Sequence, residues 1–453
     1  MKEKKPIYME IYEDIKEKID RGDMKIGMRL ESKRALSNRM NIGINTVENA
    51  YAMLLDEGYI EARERRGYFV AKQDLLLRPL PEKNKLDTKI KKKEYPYDFS
   101  YQGVDKKFPF ALWKKLTKEA VDVERENLLR RGDPQGEEGL RESIAAYLGQ
   151  SRGIKATKEN IIITAGTEYL FQILFGLWRE KAVFGIENPG FERWSLLFET
   201  NGISYVPLNM DDKGILPEEV KEKNVDILCI TPSHQFPTGK IMPIGRRKEL
   251  LQWAEKEKRY IIEDDYDGEF KYTGRPIPAL KSIDTRDRVV YMGNFSNTLS
   301  PALRVSYMLL PDRLMARYIR RVSYAACPVS TLTQKTLELF IAKGFFIRHV
   351  NRMRKIYKEK RELILRELKH HSKIHVGSTE AGLHIILEIE EGQDEKKLCL
   401  RAREQGILIH GISRYAIGSY TGKPALVMGF AGLEKEKIDR KSTRLNSSHG
   451  RRS

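Results

Sequence analysis

The stretch Leu30–Val70, LESKRALSNRMNIGINTVENAYAMLLDEGYIEARERRGYFV, sets the architecture of the N-terminal part of the chain. Ser32 is placed to cap a helix running to about Met40. The turn Asn41-Ile42-Gly43 follows, and a second helix starts near Asn45-Thr46. Its apolar side, Val47, Ala50, Tyr51, Leu54 and Leu55, recurs at helical spacing until Gly58 ends it. Two short β-prone runs, Tyr59–Arg63 and Gly67–Ala71, then flank the charged turn Glu64-Arg65-Arg66. Upstream, Ile7, Ile11, Ile15 and Ile19 mark a further amphipathic helix that stops at Arg21-Gly22-Asp23. Helix, helix–turn–helix and hairpin in this order predict a winged helix.

A helix–turn–helix presents the N-terminal side chains of its second helix to base edges in the major groove. Here those are Asn45, Thr46 and Asn49, all able to hydrogen-bond a base or a phosphate. Arg65 and Arg66 at the hairpin tip suit the minor groove or the backbone. The chain carries a formal charge of +18, which favours a polyanionic partner. Residues 1–75 hold 15 Lys+Arg against 14 Asp+Glu, so the excess in this region is local, at Lys33-Arg34 and at Arg63, Arg65 and Arg66. A small protein-interaction domain with a solvated basic hairpin fits the same spacing.

From Gln73 to about Tyr97 the apolar period is lost. Pro79, Pro81, Pro96 and the run Lys89-Ile90-Lys91-Lys92-Lys93 predict an extended basic tether. From residue 98 onward, helical stretches alternate with β-rich runs at Ile161–Thr164, Ala182–Ile186, Ile227–Ile230, Tyr260–Glu263, Val289–Met292 and Val305–Leu310. Such alternation predicts an α/β domain with a mainly parallel sheet, whose ligands sit beyond the carboxyl ends of the strands. Three motifs fall at those ends. Thr164-Ala165-Gly166-Thr167 opens a helix, where free N–H groups favour a phosphate. Glu263-Asp264-Asp265-Tyr266 crowds three acids, which calls for a cationic or protonated partner or an exposed loop. Ser296, Ser300 and Arg304 follow another strand, and Arg304 offers a fork of donors suited to phosphate. Cys229, Cys327 and Cys399 are scattered, form no metal spacing, and fit buried positions in a reducing cytoplasm. The most apolar run, Tyr169–Trp178, is too short to span a bilayer, and the polar N-terminus is unlike a secretory signal. No membrane role and a cytoplasmic location are therefore expected.

Residues 5–71 resemble the GntR-type winged helix through Ser32-Lys33-Arg34, Asn45-Thr46-Val47, Ala50-Tyr51, Glu57-Gly58-Tyr59 and Gly67-Tyr68-Phe69-Val70. Glu31 stands where that family usually has proline. Residues 98–435 resemble a fold-type I, class I/II aminotransferase, through the motifs above together with Glu187–Phe191 and Thr231–Gly239. The two joined in one chain resemble the MocR family of transcription regulators. The resemblance implies an α/β fold with a winged helix–turn–helix at 1–72, a basic linker at 73–97, and an aminotransferase-like effector and dimerisation domain at 98–437. That last domain would combine a large mainly parallel sheet with a smaller C-terminal subdomain. It implies a homodimer on a double-stranded DNA operator, with Lys33, Arg34, Asn45, Thr46, Asn49, Arg65 and Arg66 at the DNA.

For the large domain the resemblance implies pyridoxal 5′-phosphate (PLP). Asp264 would pair with the ring nitrogen, Tyr266 with the ring hydroxyl, and Phe191 would pack by the ring. Gly166, Thr167, Ser296 and Arg304 would hold the phosphate, with Arg193 and Arg414 for the carboxylate of an amino acid or amine effector. No metal site is implied. Phe236 and Phe191 depart from residues that aminotransferases use for hydrogen bonds. The larger departure is Asn297 in Gly293–Arg304 (GNFSNTLSPALR), where the family carries the lysine that binds PLP. An amide nitrogen is no nucleophile and no general base, and loss of a general base alone costs ~10²–10⁴-fold in rate. The expectation is a regulator without transaminase turnover, with PLP held non-covalently or as an amino-acid aldimine. Two alternatives remain: a working aminotransferase, were the native residue lysine, and a cofactor-free DNA-binding protein that uses the fold to dimerise. Residues 438–453 are atypical. The helix before them breaks near Asp439, and Lys441–Ser453 is polar, basic and without period, so disorder is expected there.

Overall fold

The structure is a computed structural model that describes residues 6–72, 95–100, 104–178, 182–274, 278–369, 374–377, 380–390, 393–435 and 438. Most of the expected linker and nearly all of the expected disordered tail lie outside these residues. The chain divides into two compact units, 1–93 and 94–453.

The smaller unit is built from α1 (Ile7–Asp20), α2 (Lys33–Met40), α3 (Ile44–Asp56), β1 (Ile60–Arg63) and β2 (Gly67–Val70). Ser32 caps α2 by accepting from the Ala35 amide. Asn41 ends α2 in the left-handed region, at φ 53°, which makes the sharp turn into α3. Val47, Ala50, Tyr51 and Leu54 of α3 pack on Ile11, Ile15 and Ile19 of α1 and on Leu36, Ile60 and Val70. Each large apolar side chain buried this way contributes about 1.5–3 kcal/mol. The hairpin pairs Ile60 with Val70 and Arg63 with Gly67 in antiparallel register.

The larger unit is organised by a seven-stranded sheet: β3 (Ile161–Thr164), β4 (Phe184–Glu187), β5 (Tyr205–Leu208), β6 (Ile227–Ile230), β7 (Tyr260–Asp264), β8 (Val289–Asn294) and β9 (Ser306–Leu309). The spatial order is β3-β9-β8-β7-β6-β4-β5. Only β9 runs against its neighbours. These strands are near-continuous apolar runs because helices cover both faces of the sheet. β5, centred on a proline at the sheet edge, is the strand the sequence reading missed. A smaller four-stranded sheet joins Ile374–Val376, His384–Ile389, Ala425–Gly429 and His410–Gly411 in that order. One stretch read as linker belongs elsewhere: Tyr97 already pairs with Ile407 in a short parallel ladder of the larger unit. Among the described residues no helix is long and apolar enough to cross a membrane.

Candidate ligand pocket and nucleic-acid interface

Register places the pocket. β9 is antiparallel and begins at Ser306, which pairs with Thr164 at the end of β3 and with Asn294 at the end of β8. Its first residue therefore shares one sheet edge with the carboxyl ends of β3, β7 and β8. The turns that leave those ends bring Gly166, Thr167, Asp264, Tyr266, Ser296, Asn297 and Arg304 around one cavity of about 440 Å³. Phe191, Arg193 and Arg414 complete it, so all ten pocket residues expected from the sequence line one space. Ser300 does not; its hydroxyl caps a short turn at Ala302.

The three acids of the β7 motif separate. Glu263 points away from the pocket and accepts from the amides of Leu280 and Lys281. Asp265 is paired with the buried Arg152 at 2.6 Å and accepts from the Tyr291 hydroxyl. Asp264 alone faces the cavity. It is 5 % exposed and receives no hydrogen bond from the described residues. Burial first, then the charges of Asp265 and Asp267, push its carboxyl up to about 8. A buried carboxylate in that state favours a ligand that brings a cation or a shared proton.

At the opposite side, α4 (Thr167–Leu177) starts at Gly166, whose φ of 98° excludes most other residues. A Cβ there would lie 2.2 Å from an Arg304 nitrogen, so only glycine allows this approach. Arg304 is itself left-handed at φ 51°. Ser306 is 1 % exposed, lines the cavity, and its hydroxyl has no partner. An orphaned buried hydroxyl beside an arginine and a helix N-terminus is a donor set that fits a phosphate. The sequence reading passed over Ser306 because it opens a strand that reads as core. It also passed over Glu168, which holds Arg304 at 2.7 Å and lies 3.7 Å from Arg193. Glu192, the first residue of α5 (Glu192–Thr200), likewise holds Arg414 at 3.2 Å.

The pocket wall is aromatic. Phe191 and Phe236 stack at 4.2 Å with planes 8° apart, and Tyr266 meets Phe191 edge-on. The two departures from the aminotransferase pattern are thus in contact with each other. The Tyr266 hydroxyl donates to the His234 carbonyl at 2.8 Å and lies 3.1 Å from the His234 Nδ1. Behind it, His234, Asp267 and His384 bring three buried ligand-capable atoms within 4.8 Å of one another. Asp267 pairs with His234 at 2.9 Å, and His384 donates to the Pro237 carbonyl at 2.9 Å, while the other ring nitrogen of His234 has no hydrogen-bond partner among the described residues.

In the smaller unit, Asn45 and Asn49 lie exposed one turn apart on α3, and Thr46 is half-buried beside them. Arg34 is exposed, as are Arg65 and Arg66 at the hairpin tip, where Arg65 takes φ 56°. Lys33 is more constrained: it is ion-paired with Glu48 of α3 and lies over the Tyr68 ring.

Residues 100–445 match the family of class I and II aminotransferases, and residues 7–70 match the gntR family of bacterial regulatory proteins. The uncharacterised HTH-type transcriptional regulator YdeL of Bacillus subtilis is 39% identical, over 96% of this chain and 94% of its own. The probable rhizopine catabolism regulatory protein MocR of Rhizobium meliloti is 28% identical, over 96% of this chain and 92% of its own. Among solved structures, an archaeal alanine:glyoxylate aminotransferase superposes with a TM-score of 0.70 at 23% identity, over 80% of this chain and 92% of its own. At that identity the likeness establishes the fold.

Proposed function

The chain belongs to the MocR-type GntR regulators, a winged helix–turn–helix joined to an aminotransferase-class domain, and on that premise we propose that its larger unit binds PLP without a covalent bond and senses an amino acid or amine there. The observation that carries this reading is the convergence in one cavity of the buried Asp264 with Arg304 and with a Ser306 hydroxyl that has no hydrogen-bond partner among the described residues. These are opposite requirements, a cation at one end and an anion at the other, and a phosphorylated pyridine meets both.

PLP, when bound, supplies an aldehyde that reacts with amines and a ring that draws electrons. Asp264 would hold the proton on the ring nitrogen, which relieves its own buried charge. Gly166, Thr167, Ser296, Ser306 and Arg304 would seat the phosphate, and Tyr266 would hydrogen-bond the ring hydroxyl. Phe191 offers an aromatic wall, and Arg193 and Arg414 offer forked donors for an effector carboxylate. Asn297 is neutral at every working pH and moves no proton, so the residues present bind and orient without driving turnover.

In the smaller unit Asn45, Thr46 and Asn49 would read base edges, while Arg34, Arg65 and Arg66 would contact phosphates, with Lys33 joining once released from Glu48. A homodimer would give cover to exposed apolar side chains of the larger unit such as Leu129, 87% exposed, and Tyr324, 81% exposed. Two copies would then read paired half-sites, and a ligand would act through its unequal affinity for the two placements of the heads.

The test is a titration of the full chain with PLP, followed by absorbance, then dialysis, then operator binding with and without amino acids. Reversible PLP binding that an amino acid tightens, with a change in DNA affinity, is expected. Amino-acid-dependent turnover with PLP fixed by borohydride would establish the aminotransferase instead. No spectral change at all would leave the large unit as a dimerisation domain.

A further inference from the structure

The anion end of the cavity already contains an anion. Glu168 lies in the first turn of α4, lines the cavity, and places one carboxylate oxygen 2.7 Å from Arg304. Its other oxygen lies 3.7 Å from Arg193. Burial works to raise its pKa, but a hydrogen bond from its own amide and the two arginines outweigh that and hold the carboxyl below its ordinary range. Glu168 is therefore ionised and uses the helix amide and the guanidinium that a phosphate would use. Gly166, the residue before the helix, has no side chain to cap it, so Glu168 supplies that charge as well. The buried Ser306 hydroxyl in the same cavity remains unpartnered, as expected of a subsite whose internal anion fills only part of it.

We infer that Glu168 is a built-in competitor at the phosphate subsite: its carboxylate occupies Arg304 until an incoming phosphate displaces it. This rests on the reading of Arg304 as an anion site, and not on which molecule carries the phosphate. The displacement is local. Both members of the pair are about half exposed, so the side chain has solvent to move into, and Arg193 is a second cation within reach. Occupancy of the site is then a contest between two anions, which lowers apparent affinity by the fraction of time Glu168 holds Arg304. The site stays sensitive to ligand concentration where a site without the carboxylate would saturate.

The experiment uses the full chain and two probes, inorganic phosphate and PLP. Affinity is measured for wild type, Glu168→Gln, Glu168→Ala, Glu192→Gln and Arg304→Ala, with thermal melts to verify folding. Removing one charge-assisted contact predicts roughly tenfold tighter phosphate binding in both Glu168 variants. Glu192→Gln, which frees Arg414 instead, should leave phosphate affinity within twofold. Unchanged or weaker phosphate binding in both Glu168 variants, with Arg304→Ala still damaging, overturns the inference and leaves the anion-site reading standing. Phosphate binding that Arg304→Ala does not weaken overturns the anion-site reading itself. Phosphate binding absent from wild type but present in Glu168→Gln supports the inference in its strongest form, and absence from both overturns it.

Discussion

The side-chain amide of Asn297 donates to the backbone carbonyl of Tyr266 at 2.8 Å. The turn after β8 is thereby tied to the turn after β7 by a residue that also lines the pocket.

A lysine introduced at position 297 tests whether this cavity seats PLP. Asn297→Lys should acquire a borohydride-stable PLP adduct, seen as a mass increase on a peptide containing residue 297, whereas wild type should acquire none. The variant loses one partly buried hydrogen bond, a cost of about 1 kcal/mol without cofactor. A variant that folds and gains no adduct would show that this cavity does not seat PLP.

Asp264 predicts how stability depends on pH. Its carboxyl is raised to about 8 in the folded chain, against about 3.9 unfolded. Between these values the folded state keeps a proton that the unfolded state has released, so stability is greatest below pH ~4 and falls as pH rises to ~8. Asp264→Asn does not titrate. The ligand-free variant should be about as stable as wild type at low pH and roughly 5 kcal/mol more stable near pH 8, by denaturant midpoints. A difference that is flat across this range, or that shrinks as pH rises, would contradict the assignment.

Asp265, the next residue, is held in a buried ion pair instead. It is 5% exposed and bonded to Arg152 and Tyr291. Breaking one side of such a buried pair costs about 3–5 kcal/mol. Asp265→Asn should therefore lower the denaturant midpoint of the large unit strongly, and a loss under 1 kcal/mol would mean that Arg152 finds another partner.

On DNA, Arg65 and Asn49 should separate. Arg65→Ala should weaken binding on most sequences and reduce the slope of log affinity against log salt by about one. Asn49→Ala should relax sequence preference while leaving that slope nearly unchanged. Competition assays against shuffled operators at two salt concentrations distinguish the two, and identical behaviour would remove Asn49 from the base-reading set.

Much of the molecule is legible from local pattern. Ile11, Ile15 and Ile19 lie on the buried face of α1 as their spacing predicts, with Ile7 left exposed at its start, and Ser32, Asn41 and Gly58 mark boundaries whose backbone geometry those residues favour. Local pattern fails where a side chain's partner lies far along the chain. Glu263, Asp264 and Asp265 are adjacent and chemically alike. Their fates depend on Leu280, on the cavity, and on Arg152. Glu168 reads as an ordinary acid in a first helical turn, until Arg304 arrives from 136 residues away.

By itself the sequence determined the winged helix and the mainly parallel sheet, because period and caps are properties of neighbouring residues, while the ten residues that line the pocket came through the motifs shared with aminotransferases. Tertiary structure alone decided which acid faces the ligand, which hydroxyl is left without a partner, and which arginines already hold an anion. Those outcomes depend on burial and on contacts between distant strands, which no local spacing encodes.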